Sequence, residues 1–151
     1  MSGFQKIIRP RKMYQECFSM NFDKYFDIPF LLRGRCFKGA DCYGLVRLIL
    51  LHEFEIKLPL WEGDYTTVKD HNKLNDCISA HYGDFKEVHE PMGGDVILMR
   101  LGGVFPVHIG VMISKNTFIH TREDENVTSC KISDAKWNRR IVGFYKYVKK
   151  T

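Results

Sequence analysis

Gly39-Ala40-Asp41-Cys42-Tyr43-Gly44-Leu45-Val46 opens an apolar run that continues to Phe54 and reads as a helix, with a cysteine at its first turn. Asp41 fits the N-cap, where a carboxylate accepts first-turn amides and leaves Cys42 as the first helical residue. Unpaired amides and the positive end of the helix dipole favour a thiolate there, and the thiolate is the form that attacks a carbonyl carbon. The negative charge of Asp41 opposes that ionisation. A free cysteine also packs well as a small hydrophobe. Placement alone leaves both alternatives open.

A nucleophilic thiol needs a base, and the base needs a residue to orient it. Val107-His108-Ile109-Gly110-Val111-Met112-Ile113 reads as a strand, Thr117 to Thr121 as the next, and Ser114-Lys115-Asn116 as the turn between them. A three-residue loop pairs Ile113 with Thr117 and, counting outward, sets His120 opposite Gly110. His108 shares the face of Gly110, because side chains alternate along a strand. The two imidazoles become diagonal neighbours about 7–8 Å apart at the backbone, and Gly110 leaves room for both rings. A two-residue turn would throw His120 to the other face.

Further strands are expected at Asp95 to Leu101, about Asn126 to Ile132 and Ile141 to Val148, with a short one from Phe85 to Val88. Asp41 to Phe54 is the principal helix, closed off by Leu58-Pro59, and Thr66 to Ala80 reads as a polar helix. Gly102 to Pro106 is expected to form a loop beside the site. The order predicts an α+β fold with an antiparallel sheet, in a single domain over residues 1–151 whose first 25 residues are a helical or irregular lead-in.

These residues resemble the NlpC-type, papain-like cell-wall peptidases, and most closely their phage tail-associated branch. The resemblance rests on Asp41 to Val46, Gly94-Asp95-Val96-Ile97-Leu98, His108-Ile109-Gly110-Val111, His120 and Arg140-Ile141-Val142-Gly143-Phe144-Tyr145. It implies a nucleophile at Cys42, a base at His108 and an orienting residue at His120, on a helix packed against an antiparallel sheet. It also implies hydrolysis of peptidoglycan stem peptides, at bonds of the D-γ-glutamyl–diamino acid type. Asp41, Tyr43 and Phe30 are the matching substrate-side positions. Phe30 stands where many members carry Tyr, and Tyr43 where many carry Ser. Cys42 is expected to be the one cysteine that reacts quickly near neutral pH. The same Cys-His-His set would serve an amidase or transacylase, and a tail-assembly protein could keep the fold as structure. In the permuted lipid acyltransferases the histidine precedes the cysteine, so the order here speaks against them.

The chain has 151 residues, 44% hydrophobic and 27% charged, ordinary for one globular domain. Its net charge of +5 gathers partly in Arg9-Pro10-Arg11-Lys12 and Lys146 to Lys150. No nucleic-acid motif accompanies it, so an anionic cell wall is the expected partner rather than nucleic acid. No apolar run approaches the ~20 residues of a membrane span, and residues 1–6 lack a secretory core. Synthesis in the cytoplasm is expected, with delivery in a virion among phage tail proteins or by a secretion machine. Five cysteines without a Cys-x-x-Cys pair argue against disulfides and zinc ribbons. Cys17, Cys77 and Cys130 read as packing residues, and Cys36 as a possible redox partner of Cys42. Asp70, His71, Cys77, His81 and His89 match no zinc spacing, and neither metal nor cofactor is expected.

Overall fold

The computed structural model describes residues 21–60, 82–101, 106–123 and 125–149. The lead-in through residue 20, the helix expected over 66–80 and loop residues 102–105 lie outside them, as do Cys17, Asp70, His71, Cys77 and His81.

After a short helix α1 (Asp23–Phe26), a two-stranded strap of β1 (Arg35–Cys36) and β2 (Gly39–Ala40) leads into α2 (Cys42–Phe54). Asp41 caps α2, its Oδ1 accepting the amide of Gly44 at 2.9 Å, and Cys42 is the first helical residue, as the sequence predicts. The helix ends at Phe54, where Glu55 turns left-handed at φ 56°, well before Leu58-Pro59. Tyr43, Leu45, Val46, Leu48, Ile49, Leu50 and Phe54 are all buried, so α2 is apolar nearly all round and runs inside the protein. A Cβ on Gly44 would run into the carbonyl of Gly34, so only glycine lets the strap lie this close to the helix start.

Six strands follow: β3 (Phe85–Val88), β4 (Val96–Arg100), β5 (Pro106–Met112), β6 (Thr117–Arg122), β7 (Glu125–Lys131) and β8 (Ile141–Tyr147). Their order in the antiparallel sheet is β3-β8-β4-β5-β6-β7. A four-residue helix α3 (Ala135–Asn138), capped by Asp134, joins β7 to β8. This is the α+β arrangement expected from the sequence.

The sheet carries two cores. Val96, Ile109, Val111, Ile119 and Val127 belong to the core that contains α2. Ile97, Met99, Met112 and Phe118 form a second one around Trp137 of α3. Alternation along β5 therefore assigns Ile109 and Val111 to the helix core and Met112 to the Trp137 core.

Candidate active site

The β5–β6 hairpin has the expected register. The amide of Ile113 donates to the Thr117 carbonyl at 2.9 Å, and Val111 pairs with Ile119 and Met112 with Phe118. The loop is thus three residues long, which puts both histidines on one face. Nε2 of His108 and Nδ1 of His120 lie 2.8 Å apart in one hydrogen bond, and both residues are buried.

Gly110 is what makes room for them. A Cβ there would stand 3.0 Å from the Ile119 carbonyl oxygen, 3.1 Å from Ile97 Cγ2 and 3.3 Å from His120 Cβ. Two of these neighbours are backbone or Cβ atoms that cannot swing away. Gly110→Ala is expected to cost about 1–3 kcal/mol through overpacking, read as a lower urea midpoint with an unchanged slope. An unshifted midpoint would mean that the hairpin yields freely.

Trp137, which the sequence did not single out, closes the pair from the far side. Its ring stacks on His108 at 5.7 Å between centroids and 24° between planes, and meets His120 edge-on at 4.7 Å. The signal available in sequence was a lone Trp amid the polar run Asp134-Ala135-Lys136-Trp137-Asn138-Arg139-Arg140. A large apolar residue stranded there needs a core to enter. Cys130, read from the sequence as a packing residue, packs against the second core and has its Sγ 3.5 Å from Nε2 of His120.

Burial pushes the proton affinity of both imidazoles down. His108 falls well below the ordinary histidine value, with His120 and Arg122 adding to the effect, and His120 falls to about 4. Both are neutral at pH 7. In the unfolded chain they would take up protons near 6.5, so between that value and about 4 the unfolded state binds more protons. Stability is therefore complete above pH 6.5 and falls on acidification. His120 alone accounts for about 3 kcal/mol of that loss by pH 4. Urea midpoints at pH 7 and pH 5 test this; equal values would contradict neutral, buried rings.

Cys42 approaches from the other side of β5. The amides of Ile109 and Tyr43 donate toward its sulfur, so it sits against the residue that follows His108. Among the described residues no hydrogen bond joins the thiol to the imidazole. His108 turns to the Trp137 face of β5 while Cys42 packs on the α2 face, so the structure brings the two histidines together but not the cysteine and His108. Burial first, and then the Asp41 charge, push the thiol up to about 12, against the pull of the two amides and Arg35. Residue 42 is only partly buried, and solvent reaching it softens this push without reversing it. Desolvation thus opposes the thiolate that the helix start favours, and the rapid reactivity expected of Cys42 is a matter for the alkylation experiment.

Two substrate-side expectations also change. Tyr43 is buried in the α2 core, its hydroxyl donating to the Pro59 carbonyl and its ring under the Arg35 guanidinium at 5.2 Å, so its side chain serves the fold. Asp41 is buried too. Its Oδ1 receives Arg35 Nη1 at 2.7 Å as well as the Gly44 amide, and its Oδ2 receives the Arg33 amide at 2.9 Å. A carboxylate so engaged caps the helix and anchors the strap, and is poorly placed to take a substrate amine. Phe30 is partly exposed and bridges in parallel to Ala40, two residues before Cys42. His89 is exposed, and among the described residues no cluster of metal-binding side chains occurs. Cys36 is exposed on the strap.

Residues 27–146 match the family model for NlpC/P60, and the chain belongs to the NlpC/P60 family. It is 24% identical over 112 residues to a probable endopeptidase of Haemophilus influenzae, covering 74% of this chain and 61% of that protein. It is 24% identical over 121 residues to the murein DD-endopeptidase MepS/murein LD-carboxypeptidase of Escherichia coli K12, covering 78% and 56%. The chain thus spans about three fifths of the length of these relatives. Among solved structures, an NlpC/P60 family protein from Bacillus cereus superposes with a TM-score of 0.59 at 18% identity, covering 83% of this chain and 37% of that one. The NlpC/p60 domain of the peptidoglycan hydrolase SagA gives 0.52 at 19%, covering 83% and 92%. These likenesses show the fold, an α+β papain-like one.

Proposed function

We propose that this chain is a cysteine peptidase that cleaves peptide bonds in peptidoglycan stem peptides, at linkages of the γ-D-glutamyl–diamino acid type. The observation that carries the proposal is the buried His108–His120 hydrogen bond beneath Trp137, with the Cys42 sulfur held at a helix start against the next residue of the same strand. Family membership and relatives named as endopeptidases support it.

In this mechanism substrate binding brings Cys42 and His108 into reach, and His108 takes the thiol proton as the sulfur attacks the scissile carbonyl carbon. Because His120 occupies Nε2 of His108, Nδ1 is the nitrogen that receives it. The main-chain amide of Cys42, left unpaired at the first helical position, helps hold the oxyanion. Collapse of the tetrahedral intermediate breaks the C–N bond, and His108 returns its proton to the leaving amine. Water, deprotonated by His108, then cleaves the thioester and regenerates the thiol. A phage-tail setting, with delivery from the cytoplasm in a virion or through a secretion machine, belongs to the same proposal and is supported by the motif resemblance alone.

Mass spectrometry of peptides released from defined peptidoglycans tests the assignment. The wild type should release fragments ending at a D-γ-glutamyl carboxylate, and Cys42→Ala none. Release by both, or by neither, would overturn it.

A further inference from the structure

We propose that Cys130 is a positioning residue: its sulfur accepts the Nε2–H of His120 and so holds the histidine pair in the one proton arrangement that leaves His108 a base. The inference rests on the peptidase proposal for its consequence, and on geometry for its basis.

Each neutral imidazole carries one proton on two nitrogens. The His108 Nε2 to His120 Nδ1 hydrogen bond therefore runs in one of two directions. If His108 donates from Nε2, its Nδ1 is bare and can accept the Cys42 proton. His120 Nδ1 is then the acceptor, and its proton must lie on Nε2. If instead His120 donates from Nδ1, His108 carries its proton on Nδ1 and cannot act as a base. What sits at His120 Nε2 decides between the two, and that neighbour is Cys130 Sγ at 3.5 Å, within reach of a hydrogen bond to sulfur.

A thiol can donate or accept, and the surroundings of Cys130 set its sense. Cys130 is only partly buried, so its own proton can turn toward solvent and leave a sulfur lone pair for the buried His120 Nε2–H. The polarity then runs from Cys130 back through His120 to His108 and leaves Nδ1 of His108 bare. One tryptophan shields both of the rings whose protons the sulfur orders.

Nitrogen-15 correlation spectra of the wild type, Cys130→Ala and Cys130→Ser report the imidazole tautomers without substrate. The wild type should show both histidines protonated on Nε2. Cys130→Ala should populate the second tautomer and lower kcat about tenfold, the worth of one hydrogen bond, at unchanged KM. Cys130→Ser, whose oxygen also accepts, should restore the tautomers and most of the rate. A wild type protonated on Nδ1 of His108, or tautomers indifferent to Cys130→Ala, would overturn the proposal. These spectra stand apart from any peptidoglycan assay, so failure to cleave with intact tautomers would refute the peptidase assignment and not this one.

Discussion

Cys42→Ala is expected to lower stem-peptide hydrolysis about a millionfold, to the background of an empty site, while leaving the fold intact. Residues of a nucleophile–base unit are not additive: removing either costs about as much as removing both. His108→Ala and the Cys42→Ala/His108→Ala double variant should therefore match the single cysteine variant. His120→Asn should keep measurable activity, since an amide can still accept from Nε2 of His108 and orient it. EDTA should change nothing, and a thiol alkylator should inactivate. Because burial and Asp41 push the thiol up to about 12, alkylation of Cys42 in the free protein should climb through the alkaline range. A rate already at its plateau near pH 6 would show a resting thiolate, and a Cys42→Ala variant that still hydrolyses would move the nucleophile elsewhere.

Much of this site was legible because it is local. The Ser114-Lys115-Asn116 turn fixes the hairpin register, and the register alone brings His108 to His120 across the room left by Gly110. Asp41 caps α2 by an interaction three residues long. Phe85 to Val88 was readable as a strand from its composition and position. What escaped depends on pieces distant in sequence or on depth. Arg35 neutralises Asp41 only because the β1–β2 strap folds back over the helix start, and nothing in the strap's composition announces that. Tyr43 looked like a substrate contact until its hydroxyl was found on the Pro59 carbonyl. The Cys42 thiol is pulled two ways: a helix terminus lowers its pKa by a local effect legible in sequence, whereas desolvation raises it by an amount set by how deep the whole helix lies.

Trp137→Ala is expected to cost about 3–5 kcal/mol of stability, a large share of the 5–15 kcal/mol typical of a domain. The side chain is 1% exposed and sits at the centre of the second core, against Phe118 and both histidines. Arg122, Lys136 and Arg140 lie 5.7, 5.5 and 5.5 Å from the ring, so its loss also removes the aromatic face they share. A cavity of that size among imidazoles is polar enough to fill with water. Water restores hydration to the charged forms, so the His108 and His120 values should return toward 6.5 and the folded state should begin to take up protons where it formerly did not. The variant should therefore be less stable at pH 7, yet lose less further stability between pH 6.5 and pH 4 than the wild type. Urea midpoints across that range separate this from a simple packing defect, which would lower every midpoint equally. Parallel curves would show that Trp137 fills space without governing the protonation of the pair it covers.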